Sequence, residues 1–207
     1  AIFGHSWGSA LGVLYAARFP EKVAAYVGSG QIGDWLAGES LSYAFVLAEA
    51  ERLNNRNALK ELRAIGPPPH SARDLWTQRT WLNRVEGHLS AGILWNLGRI
   101  FLSGTEQSIF DLPNLLRGFR FSLDARWAEV TRLNLVKVVP ALPMPVFFFL
   151  GCHDHWVPSE ISVTYFDALT APSKRLVWFE ESGHEPFVDE PGKFNTSMVE
   201  LVRPVVV

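Results

Sequence analysis

Ala1-Ile2-Phe3-Gly4-His5-Ser6-Trp7-Gly8-Ser9-Ala10 opens the chain: a short apolar run breaks into Gly-x-Ser-x-Gly and then into a helical pattern. This spacing predicts a nucleophile elbow, a turn that carries a serine at a strand-to-helix junction so sharp that glycine is expected two residues to either side. Ser6 then stands exposed at a helix N-terminus. There the unpaired N–H groups and the positive end of the helix dipole favour the negative charge that acyl transfer generates.

Working outward, residues 9–19 place Ala10, Val13, Leu14 and Ala17 on one face at helical spacing, and Pro20 stops the pattern. Residues 23–27 form a short apolar run bounded by charge on one side and Gly28-Ser29-Gly30 on the other, as in a buried parallel strand. Strand, helix and strand make a βαβ unit. Both strands are apolar throughout, which predicts an α/β fold with a mostly parallel sheet covered on both faces.

Residues 31–140 change texture to long helical patterns, with helices expected over 41–53, 58–65, 89–102 and 123–135. Gly66-Pro67-Pro68-Pro69 ends the second, and Ser71-x-x-Asp74 offers a capping box to a helix carrying Leu75, Trp76, Leu82 and Val85. Five tryptophans (Trp35, Trp76, Trp81, Trp95, Trp127) fall in this insertion, where aromatic stripes pack a core and can also roof a pocket. The α/β texture returns after Pro140, so residues 1–30 and 141–207 form the core and 31–140 a helical cap. Residues 146–150 are the strongest buried-strand signal, 159–169 a helix, 175–179 a last strand and 191–202 a final helix with proline in its first turn.

Composition narrows the partners. The 207 residues are 48% hydrophobic and 13% aromatic, enough for a substantial core. Nineteen basic residues against 21 acidic ones, with no clustered run, leave no electrostatic footprint for nucleic acid or an anionic membrane, which points to a small-molecule or short-peptide substrate. The single cysteine, Cys152, excludes an internal disulfide and fits a reducing, cytoplasmic setting. Apolar runs such as residues 146–150 are too short to span a bilayer. No signal peptide is visible, and the chain opens on a strand residue rather than Met, so its true N-terminus is expected upstream.

Three strands end on Ser6, Asp154 and His184, and ligands bind at the C-terminal edge of an open parallel sheet. A serine hydroxyl is a poor nucleophile until a base takes its proton, and His184 can serve as that base. Asp154 would hold the imidazole tautomer and stabilise the imidazolium. His5, His70, His88, His153 and His155 compete, but His184 alone follows the last strand at a glycine. Cys152 sits beside the acid with nothing to activate it and is expected to be a small packed residue.

Gly4-His5-Ser6-Trp7-Gly8-Ser9, Gly-x-His-Asp-x-x-Val-Pro-Ser-Glu at 151–160 and Trp-Phe-x-x-Ser-Gly-His-x-Pro-Phe-x-x-Glu-Pro-x-Lys-Phe at 178–194 resemble the proline iminopeptidase-like branch of the α/β-hydrolases. The resemblance covers residues 1–30 and 140–200 and is diffuse in the cap. It implies an α/β-hydrolase fold, present here from the elbow strand onward, with an inserted cap and no cofactor or metal. It also implies Ser6 as nucleophile, Asp154 as acid, His184 as base and the Trp7 backbone N–H as one oxyanion donor. The expected activity is cleavage of a small ester or amide, including an N-terminal aminoacyl or prolyl substrate, through an acyl-enzyme. Aminopeptidases of the family hold the substrate's amino group with acidic cap residues; Glu39, Glu49, Glu51 and Glu86 are candidates, and none is assigned.

One departure stands out. Family members carry a His-Gly-Gly type loop and several strands ahead of the elbow, which this chain lacks. That loop supplies a second oxyanion donor, and losing one such donor costs on the order of 100- to 1,000-fold in rate. A catalytically incomplete fragment, or a binding module on a hydrolase fold, is therefore an alternative reading. So is a carbon–carbon bond hydrolase with the same triad, whereas an epoxide hydrolase or dehalogenase needs a carboxylate at Ser6. With half a sheet, the elbow strand becomes an apolar edge that is expected to need an upstream segment or a second copy.

Overall fold

The computed structural model describes residues 1–86 and 111–207. They fall into two compact units, Ala1–Ser42 with Leu133–Val207, and Tyr43–Arg132. The first unit holds a parallel sheet in the order β1 (Ile2–His5), β2 (Tyr26–Ser29), β3 (Val146–Gly151), β4 (Lys174–Phe179). Phe3 lies opposite Val27, Val27 opposite Phe147, and His5 opposite Ser29.

Strand alternation sends these side chains to two faces. On one, Val27, Phe147, Phe149 and Phe179 pack with Phe194 and Val202 from the C-terminal helices. On the other, Phe148 meets the rings of Tyr165 and Phe166 at 6.0 and 5.3 Å, and the Tyr26 hydroxyl donates to Ser9 O at 2.8 Å. Both faces are thus covered, as the apolar strands required.

Helix α1 (Trp7–Arg18) begins directly after Ser6 and buries Ala10, Val13 and Ala16, while Leu14 and Ala17 are exposed, a correction to the expected face. The reason lies at its first turn. The Ser9 hydroxyl is tied to Ser6 O at 2.5 Å and accepts from Ile32 N at 3.0 Å, so Ser9 faces the sheet and Gly12 follows it onto the Tyr26 ring. β2 starts three residues later than expected because Val23 N is spent on Pro20 O in a 3-10 turn.

α2 (Trp35–Arg52) starts well ahead of residue 41, since the Asp34 carboxylate accepts from Ala37 N at 3.2 Å at its head. In the second unit, Asn55 caps α3 (Arg56–Ile65), and Ser71 and Asp74 form the expected cap of α4 (Ala72–Glu86). Trp81 and Leu82 are buried, and the Trp81 indole donates to Glu61 at 2.7 Å, whereas Trp76 is 64% exposed. The helix expected over 89–102, with Trp95, and His88 ahead of it, lie outside the described residues. The one expected over 123–135 is two elements, α5 (Leu112–Val130) and α6 (Leu135–Val138), because the Asn134 side chain accepts from Lys137 N and starts a new turn.

α7 (Ser159–Ala168) follows β3. After β4 come a short α8 (Pro186–Asp189), which the sequence reading missed, and α9 (Pro191–Ser197), which passes into a π turn at Met198–Val202. Pro191 has no N–H and so separates α8 from α9. Among the described residues no helix is long and apolar enough to cross a membrane. Among the described residues β1 is an edge strand, and Phe3, Trp7, Leu11, Leu14 and Tyr15 are exposed on it and on α1.

Candidate active site

Ser6 has φ 55° and ψ −122°, a left-handed conformation that a non-glycine residue adopts at a cost of roughly 1–3 kcal/mol. The surroundings impose it: Ser6 N donates to Ser29 O at 2.9 Å, and Ser9 N and Ser9 Oγ both donate to Ser6 O. Gly4 is required because a Cβ there would lie 2.5 Å from Gly8 O and 2.8 Å from Ser9 Cα, so closely does α1 cross the strand. Gly8 is not: a Cβ there meets nothing within 4 Å among the described residues, a correction to the expectation of two obligatory glycines.

Ser6 does not cap α1, and among the described residues its hydroxyl makes no hydrogen bond. Trp7 is the first helical residue, where a backbone N–H has no acceptor within the helix, as an oxyanion donor needs. Its indole meets that of Trp35 at 4.8 Å.

Asp154, 3% exposed, lies just beyond β3. Its Oδ1 accepts from Trp156 N at 3.0 Å and Val157 N at 2.8 Å, and its Oδ2 is 2.9 Å from His184 Nδ1. Since a carboxylate only accepts, the His184 proton belongs on Nδ1, which leaves the Nε2 lone pair to take a proton.

His184 sits in a braced loop. Glu190 Oε2 accepts from Glu181 N at 3.0 Å and Ser182 Oγ at 2.6 Å, and Asp189 accepts from Gly183 N at 3.1 Å. The Trp156 indole stacks on the imidazole at 5.9 Å and 16°. Gly30, at φ +51°, lies against the ring. His5 Nε2 donates to His184 O at 2.9 Å. The structure therefore joins Asp154 and His184 directly, and joins Ser6 to His184 through its neighbours: Ser29, which accepts from Ser6 N, precedes Gly30, and His5 precedes Ser6.

The roles of His5, Gly30, Trp156, Asp189 and Glu190 around His184 rest on contacts that the sequence does not announce. For His5 a signal existed, because strand alternation puts it on the face that the C-terminal helices cover. Burial, with the His184 charge second, lowers its pKa to about 4, against a hydrogen bond to His184 O and the Asp154 charge that favour protonation. Burial raises the Glu185 carboxyl; the His184 charge opposes this, and Asp189 and Asp154 reinforce it.

Of the acidic candidates, Glu39 is buried and lines a small cavity with Trp35 and Trp156. Glu49 pairs with Arg52 and Glu51 with Arg63, and the Glu86 side chain lies outside the description. Cys152 is exposed rather than packed, because it leaves β3 at the mouth of a cavity of about 640 Å³ beside Asp154, Trp178 and Glu180. Desolvation, then Glu180 and Glu190, push its thiol up, the opposite of an activated nucleophile.

Comparison with known proteins adds the family. The family described as alpha/beta hydrolase fold matches residues 1–191. The Bacillus subtilis (strain 168) protein named "Probable aminopeptidase YbaC" is 31% identical over 213 residues, covering 98% of this chain and 64% of its own length. A solved alpha/beta fold family hydrolase from Bacillus anthracis str. Sterne is 21% identical with a TM-score of 0.51, covering 94% of this chain and 64% of its own. A solved Mycobacterium tuberculosis protein is 18% identical with a TM-score of 0.56, covering 99% and 65%. The chain thus spans about two thirds of the length of these relatives.

Proposed function

Because this chain belongs to the α/β-hydrolase fold family, we propose that it is a serine hydrolase that cleaves a small ester or amide through an acyl-enzyme on Ser6. Ser6 Oγ attacks the substrate carbonyl carbon while its proton passes to His184 Nε2. The Asp154 carboxylate holds the imidazole by its Nδ1–H and offsets the charge of the imidazolium. The tetrahedral oxyanion meets the Trp7 N–H and the positive end of α1. His184 then gives its proton to the leaving oxygen or nitrogen as that bond breaks. A water attacks the acyl-serine, His184 takes a proton from it, and Ser6 is released with its proton restored.

The observation that carries this reading is the 2.9 Å Asp154–His184 hydrogen bond, in a chain whose left-handed Ser6 heads a helix. An aminoacyl substrate, prolyl included, is the first to test, since the B. subtilis relative bears an aminopeptidase name. A panel of p-nitrophenyl esters and aminoacyl arylamides should be hydrolysed by the wild type and at least roughly 1,000-fold more slowly by Ser6→Ala. Equal rates would sink the assignment. A second reading, a hydrolase fold without turnover, is favoured by the unbonded Ser6 hydroxyl; it is supported instead if the wild type hydrolyses nothing in the panel.

A further inference from the structure

The proposed chemistry gives no task to His5, the residue immediately ahead of Ser6. Yet its Nε2–H donates to the backbone carbonyl of His184 at 2.9 Å, across 179 positions of sequence. The His5 ring lies 4.6 Å from the His184 imidazole and stands edge-on to Phe187 at 5.0 Å, so the donor is aimed by packing. A carbonyl only accepts, which assigns the His5 proton to Nε2.

Glu190 and Asp189 brace the base-bearing loop too, but they tie Glu181, Ser182 and Gly183 to residues that follow closely in sequence. His5 reaches the same loop from the elbow. It is covalently next to Ser6, whose own backbone is pinned to Ser29 O. We propose that His5 is a positioning residue: its hydrogen bond to the His184 carbonyl fixes the backbone of the base to the backbone of the nucleophile, holding Ser6 Oγ and His184 Nε2 at one separation. The inference rests on the serine-hydrolase reading. His5 must stay neutral in this role, because a second cation 4.6 Å away would oppose the imidazolium that forms on His184; its burial and lowered pKa agree with that.

Two variants of the full chain separate the hydrogen bond from packing. His5→Gln keeps an N–H near the position of Nε2 and loses the ring, whereas His5→Phe keeps a ring against Phe187 and loses the donor. The expected result is that His5→Gln retains at least about a third of kcat, while His5→Phe loses about 10- to 100-fold in kcat with KM unchanged and the fold retained at the assay temperature. A packing role predicts the reverse order, and that order, or equal losses, overturns the proposal. Proton NMR gives a readout independent of turnover: the downfield Nδ1–H signal of His184 should persist in His5→Gln and broaden or vanish in His5→Phe. Nitrogen-15 shifts of wild-type His5 should report the neutral Nε2–H tautomer from pH 5.5 to 8; the Nδ1–H tautomer would overturn the proposal even if His5→Phe does not fold. If wild-type Ser6 proves unreactive while the NMR results hold, the functional reading fails and the positioning contact stands.

Discussion

Gly30 and the imidazole of His184 share a space with no room for another atom: a Cβ on Gly30 would lie 2.7 Å from His184 Cε1 and 3.0 Å from Nδ1. Gly30 also stands at φ +51°, one residue beyond the Ser29 carbonyl that holds the Ser6 amide. The end of β2 thus seats the His184 ring and the Ser6 backbone at once.

Gly30→Ala therefore meets two obstacles, a left-handed backbone and an occupied position. It should destabilise the protein by about 1–3 kcal/mol and lower kcat by displacing the His184 ring. Gly8→Ala is the contrast, with nothing among the described residues within 4 Å of the added Cβ and a place in the first turn of α1 that alanine fits. Paired thermal denaturation and ester kinetics check both. A destabilised Gly8→Ala, or an indifferent Gly30→Ala, would contradict the packing described.

Stability should fall with pH between about 6.5 and 4. His5 has its pKa lowered in the folded state to about 4, chiefly by burial and then by His184. In this window the unfolded chain binds a proton that the folded chain does not, so acidification favours unfolding. The full difference, reached near pH 4, corresponds to roughly 3 kcal/mol. Urea unfolding across the window should show that slope in the wild type and a shallower one in His5→Gln; parallel slopes would contradict it.

The elbow was legible because strand, Gly-x-Ser-x-Gly and helix are local, and a left-handed serine between Gly4 and α1 follows from them. Asp154 and His184 are candidates by position alone, each shortly past a strand of a parallel sheet, and the structure brings those two together. What stayed hidden depends on contacts between distant segments. The His5 bond to His184 spans 179 positions, and the exposed face of α1 turned on how Ser9 is tied at the first turn. Cys152 looked apolar enough to pack, but its exposure depends on where β3 ends relative to β4 and α7.

Glu190 braces the His184 loop with one oxygen that receives both Glu181 N and the buried Ser182 hydroxyl. Glu190→Ala strands those donors, which should cost about 1–3 kcal/mol and reduce kcat more than it raises KM. Chemical denaturation together with steady-state kinetics tests this. A variant as stable and active as wild type would show that the loop holds its shape without the brace.

The outer face of α1 and β1 shows Leu11 at 70% exposure beside Phe3, Leu14 and Tyr15. Apolar surface of this kind at a sheet edge favours association. The 207-residue chain should self-associate at micromolar concentration, and Leu11→Glu with Tyr15→Lys should shift it toward the 23.2 kDa monomer in light scattering. A wild-type chain that is monomeric throughout would contradict this.

In the proposed chemistry, His184, held by Asp154, activates Ser6. The most direct test is labelling with a fluorophosphonate, followed by peptide mass spectrometry to locate the adduct. One adduct is expected, on Ser6, absent from Ser6→Ala and formed far more slowly in His184→Ala. An adduct elsewhere, an equal rate in His184→Ala, or none in the folded wild type would contradict it.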